Sequence, residues 1–128
     1  MEYFSDIASL LNSTFRISTP LVFAGIGELV TEKSGVLNLG VEGMLLVGAG
    51  TAFVSLVFTG SYTLAFIVSL LSGALMCGVF AYLVLILMSN QVATGLALTI
   101  FGIGLSSMIG KNYIGTTIQG LNPYFFVA

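Results

Sequence analysis

Between Glu42 and Lys111 the chain carries no charge. This gap, Gly43 to Gly110, is 68 residues long. A membrane-spanning helix needs about 20 apolar residues, so the gap holds three spans with short turns between them. The only charged side chains are Glu2, Asp6, Arg16, Glu28, Glu32, Lys33, Glu42 and Lys111, 6% of the residues. A soluble domain keeps about a quarter of its residues charged. A globule of 128 residues could not cover its surface with so few. The predicted fold is therefore all-α, a polytopic transmembrane helix bundle in a single domain covering residues 1–128.

Composition excludes several partners. Three basic residues and no histidine make no footprint for nucleic acid. Cys77 stands alone, so no intrachain disulfide forms. Glu2 and Asp6 occupy the region where a cleaved signal peptide would be basic.

Along the chain, Phe4, Ile7, Ala8, Leu11 and Phe15 form a helical stripe opposite mostly polar positions. That pattern predicts an amphipathic helix over 3–15, packed on the bundle rather than lying on lipid, since its polar face is not basic. Thr19-Pro20 reads as an N-cap with proline at the first helical position. The helix it opens, 20–31, is too short to cross alone. Either it joins residues 7–19 through a proline kink with Arg16 inside, or it is a half-span buried in protein. Spans follow at about 37–58, 62–88 and 92–110, separated by Thr59-Gly60-Ser61 and Ser89-Asn90-Gln91. Residues 111–123 form a polar loop. Pro123 and the apolar run after it resemble the start of a further element, so the chain reads as the front part of a longer protein.

Small residues recur at every fourth position of the third segment, Ala65, Ser69, Gly73, Cys77 and Ala81, and again at Gly102, Ser106 and Gly110. Such ridges let helices approach closely in lipid. Cys77 reads as a packing residue, not a reactive thiol. Two glycine patterns are decoys. Gly110-Lys111 lacks the first glycine of a phosphate loop, with Leu105 in its place, and has Asn112 instead of the Ser/Thr that would hold magnesium. Gly25-Ile26-Gly27 has Val30 at the third glycine position and no strand before it. The chain itself binds no ATP, and neither a cofactor nor a metal is expected.

The stretch Gly25 to Met44, GIGELVTEKSGVLNLGVEGM, holds four of the charges beside long apolar runs. On a helix, Asn38 and Glu42 would share a face. A carboxylate near hydrocarbon is costly and commonly marks a pathway; equally, Glu42 could snorkel or sit at a helix start, where the dipole favours an anion.

This stretch, GELVTEKSGVLNLGVEGMLLVGA in its longer form, resembles the N-terminal signature of permease subunits of bacterial ATP-binding-cassette importers, in the branch that moves nucleosides and simple sugars. Ribose and branched-chain amino acid permeases are more distant members. NQVATGLALT, residues 90–99, is similar to the same branch's Asn-Gln-Val-x-x-Gly stretch, and Thr19-Pro20-Leu21 also fits. The resemblance implies a multi-pass protein of the bacterial cytoplasmic (inner) membrane, surrounded by lipid and performing no catalysis itself. It implies a separate ATPase subunit, an extracytoplasmic substrate-binding protein and a second permease subunit as partners. Family members are considerably longer, and their ATPase-docking segment lies beyond residue 128. Candidates for the substrate path are Asn38, Glu42, Asn90 and Gln91, with Glu28 behind them. A small proton-coupled multidrug exporter, dimeric and using Glu28 or Glu42 as its proton site, is the alternative. A non-transporting assembly subunit is a third reading.

Overall fold

The computed structural model describes residues 2–120. The described residues are helical, apart from the short connections between helices and the residues after Tyr113. We number the helices α1 (Glu2–Lys33), α2 (Val41–Thr59), α3 (Tyr62–Ala81) and α4 (Gln91–Gly110). A π-helical segment, Tyr82–Ile86, prolongs α3, and a 3-10 turn, Lys111–Tyr113, follows α4. Three helical stretches are long and apolar enough to cross a membrane: Val41–Thr59, Tyr62–Ile86 and Gln91–Tyr113.

α2 is the central element. Its Gly48 and Thr51 meet Ser69 and Ser72 of α3, and Thr51 and Ser72 share a hydroxyl hydrogen bond of 2.8 Å. Its other side meets α4. A Cβ on Gly43 would fall 2.7 Å from the Leu98 carbonyl oxygen, and Gly50 faces Ser106. From these pairs, 43 beside 98–99 and 50 beside 106, α2 and α4 run in the same direction, with α3 returning between them in sequence. The core is a small apolar cluster of Met44, Val47, Met76, Phe80, Val84 and Leu98.

α1 is one helix through Pro20, which corresponds to the joined form of the two alternatives. Thr19 is therefore not an N-cap. Its hydroxyl donates to the Phe15 carbonyl at 2.8 Å, and that of Ser18 donates to the same oxygen. The amphipathic stripe at 3–15 does not pack on the bundle. Residues 3–17 are exposed on every side, Phe4 and Phe15 as fully as the polar positions. Helical periodicity records an apolar face but not what covers it.

The ends of α2 and α3 are closed by local geometry. Gly60, at φ 65°, caps α2 by donating its N–H to the Leu56 carbonyl. The chain after α4 folds back over this turn, where Tyr113 stacks edge-on against Phe58 at 5.9 Å and the Tyr62 hydroxyl donates to the Gln119 carbonyl. At the other end α3 loosens into the π turn, and Met88 takes a left-handed conformation, φ 51°. The Ser89 hydroxyl then bridges the Leu83 carbonyl and Thr94. Pro123 and the aromatic run after it lie outside the described residues.

Candidate functional site

The site is built on the break between α1 and α2. α1 ends in a glycine cap. Gly35 adopts φ 82°, its N–H donates to the Glu32 carbonyl, and the Val36 N–H donates to the Thr31 carbonyl. This six-to-one closure satisfies the last turn and turns the chain out of the helix. Residues 36–38 are then irregular and 39–40 form a turn, with Gly40 as the N-cap of α2, whose carbonyl accepts the Met44 N–H.

This irregular segment lies alongside the first turns of α4, from Gln91 to Thr99. The Leu37 N–H donates to the Gln91 side-chain oxygen at 2.7 Å. One residue on, the Asn38 N–H donates to Glu28 Oε1 at 3.1 Å. The Leu39 carbonyl accepts the Thr99 hydroxyl at 2.9 Å. Gly95 allows the approach: a Cβ there would sit 2.9 Å from the Leu39 nitrogen. Asn38 is 5% exposed, and its Oδ1 accepts the Gly40 N–H at 3.0 Å while Nδ2 points at the Met44 sulfur. Irregular backbone at membrane depth is tolerated only where protein or a water-filled cavity surrounds it. Here four side chains, from α1, the segment itself and α4, supply the hydrogen bonds that a helix would have made internally.

The structure thus brings together three of the five path candidates, Glu28, Asn38 and Gln91, on one short segment. The other two stand apart. Asn90 is exposed and caps α4, its Oδ1 accepting the Ala93 N–H at 3.1 Å. Glu42 is exposed in the first turn of α2. The shared helical face expected of Asn38 and Glu42 does not exist, because the helix begins only at Val41. Glu42 sits instead at a helix start, where the dipole favours an anion. It also lies deep. Its neighbour Gly43 packs on Leu98, seven residues into α4, or about 10 Å at 1.5 Å per residue.

Of the packing ridge on α3, the residues at the α2 contact are Ala65, which is buried, and Ser69. Cys77 is exposed, Ala81 is half-buried, and a Cβ on Gly73 would meet nothing within 4 Å. The contact face continues through Ser72, Met76 and Phe80. On α4, Gly102 and Ser106 do face α2, whereas Gly110 does not. An open apolar groove between the π turn and α4, lined by Leu83, Ala97 and Phe101 among others, offers no polar group beyond Thr94. No cluster of His, Cys, Asp or Glu among the described residues could hold a metal ion.

Residues 10–126 match the family described as branched-chain amino acid transport system / permease component. The chain belongs to that family. It is 47% identical over 122 residues to a Haloferax volcanii protein provisionally described as a glucose ABC transporter permease, covering 95% of this chain and 37% of that one. It is 25% identical over 121 residues to the guanosine ABC transporter permease protein of Bacillus subtilis, covering 90% and 38%. It is 33% identical over 109 residues to the nucleoside ABC transporter permease protein of Lactococcus lactis, covering 78% and 33%. The chain therefore spans little more than a third of these relatives. No solved structure matches. As a multi-pass ABC permease component, the chain is not itself catalytic.

Proposed function

We propose that this chain forms part of the translocation path of an ATP-driven importer for nucleosides or simple sugars. The observation that carries this reading is the irregular, side-chain-pinned segment 36–40 beside the first turns of α4, followed by the exposed carboxylate of Glu42 in the first turn of α2. A charge and a run of non-helical backbone at that level are costly against lipid and are at home beside a polar path. Neutral polyhydroxylated substrates suit it, because the polar groups gathered at the segment, the Asn38 and Gln91 amides, the Thr99 hydroxyl and the Glu28 carboxylate, include no cation. The named substrates of the relatives, glucose, guanosine and nucleosides, are of that kind. The partners supporting transport are an ATPase subunit, a substrate-binding protein outside the membrane and a second permease subunit. The location is the cell membrane; one relative is archaeal, so a bacterial inner membrane is the narrower case. In membrane vesicles carrying the assembled transporter, uptake requires ATP and survives collapse of the proton gradient. Transport that follows the proton gradient and ignores ATP would instead make this a proton-coupled exporter.

A further inference from the structure

Among the described residues, one side-chain polar atom is buried without a hydrogen-bond partner: Glu28 Oε2. Its sister atom Oε1 is fixed by the Asn38 N–H at 3.1 Å, so the carboxylate head is held in one orientation with its second oxygen unused. A buried carboxylate oxygen with no donor is expensive to leave in place. We propose that Glu28 Oε2 is a hydroxyl-acceptor subsite for the neutral polyhydroxylated ring that passes this segment, a reading that rests on the proposed permease function.

The geometry fits an acceptor better than an ion-pairing group, because no cation is paired with Glu28 among the described residues. A carboxylate accepts hydroxyl protons strongly and geometrically defined. Glucose and a nucleoside's ribose share that chemistry: neutral rings carrying several hydroxyls. Oε1 ties Glu28 to segment 36–38, which is held by individual side-chain hydrogen bonds and by no continuous ladder. In this proposal a shift of that segment, which lies at the level of Gln91 and Gly95 of α4, opens the second oxygen to the substrate. The subsite is thus closed in the conformation described and is reached when the segment shifts.

The test uses the complete transporter in membrane vesicles, with glucose and guanosine as probes and their singly deoxygenated analogues as the series. In the wild-type transporter, removal of one particular ring hydroxyl raises the half-saturation concentration about tenfold or more, the scale of one hydrogen bond to a charged group. Glu28→Gln keeps an acceptor for the Asn38 N–H but presents an amide donor where Oε2 stood. It raises the half-saturation concentration for the parent probe by a similar factor, leaves the maximal rate within about twofold, and adds no further penalty to that one deoxy analogue. Glu32→Gln, an exposed carboxylate one turn along α1, changes neither parameter. Whichever of the two probes shows the effect identifies the ring. An unchanged half-saturation concentration in Glu28→Gln overturns the subsite, as does an equal loss of maximal rate for every probe, which marks a purely structural carboxylate or one satisfied by water. A wild-type deoxy series with no tenfold step overturns it even where the variant fails to assemble. Absence of ATP-dependent uptake of either probe by the wild type removes the permease reading, and the subsite with it.

Discussion

At the scale of single residues, the α2–α4 contact turns on two glycines. A Cβ on Gly102 would fall 2.5 Å from the Gly43 carbonyl oxygen, and one on Gly43 would fall 2.7 Å from Thr99 Cα. Both obstacles are backbone, so neither can swing aside. Gly43→Ala or Gly102→Ala must part the helices, at about 1–3 kcal/mol for overpacking. We expect each to lower the thermal midpoint of the detergent-solubilised protein, while Gly104→Ala, whose Cβ meets open space, leaves it unchanged. Thr99 gives a second prediction. Thr99→Val removes the donor to the Leu39 carbonyl and costs about 1–3 kcal/mol if that oxygen stays unpaired. Cysteines placed at 37–39 should then label faster, and Thr99→Ser should restore protection. Part of this was legible in the sequence. Gly102 stands out in a small-residue repeat, and the weight of function on residues 25–44 shows in its charges and glycines. Gly95 shows only as the glycine of the Asn-Gln-Val-x-x-Gly stretch and Thr99 carries no motif of its own, although Gln91, Gly95, Thr99 and Gly102 fall on one helical face. That spacing is the signal, but it names a partner only once the irregular segment is known to lie against it.

At the scale of elements, the difference between the predicted and observed faces of α3 is a matter of period. Steps of four residues advance 400° and so drift about 40° per step around a helix of 3.6 residues per turn. The ridge that begins at Ala65 and Ser69 has rotated away from α2 by Gly73 and Cys77, whereas 65, 69, 72, 76 and 80 stays in contact. Small size alone cannot distinguish the two tracks. Ser69→Leu is expected to push into Gly48, which lies against it, and to lower the thermal midpoint in detergent. Gly73→Leu should leave it close to that of the wild type; equal losses for the two would place both positions at a helix contact. The break between α1 and α2 was harder to read. Asn38 and Glu42 look like a helical pair because spacing carries no record of where a helix starts. The start at Val41 follows a stretch whose N–H groups at Leu37 and Asn38 are taken by partners outside it, Gln91 and Glu28.

At the scale of the whole molecule, surface decides the environment. A soluble monomer of 13.4 kDa exposes about 6,500 Å² by the usual scaling; this chain exposes 9517 Å². The excess is largely apolar, with Phe66, Leu75, Ile86, Ile100 and Met108 all outward. Lipid or further protein must cover it, as the charge-free stretch alone already required. Because α2 and α4 run one way and α3 returns, the turn at Gly60-Ser61 and the turn at Ser89-Asn90 fall on opposite sides of the membrane. Single cysteines, introduced with Cys77 replaced by Ala, should label at Ser61 from one side only and at Asn90 from the other. Positions 64–80 and 93–109 should resist aqueous reagents. The segment 36–40 should behave differently from both classes. Its level in the bundle is that of the first turns of α4, and in the proposed function it borders the translocation path. Labelling at Leu37 or Leu39 should therefore be slow in the resting transporter, faster during ATP turnover, and slowed again by saturating substrate. Rates at those positions as low as at Ala97 in every state would place the segment in a sealed packing contact and remove it from the path.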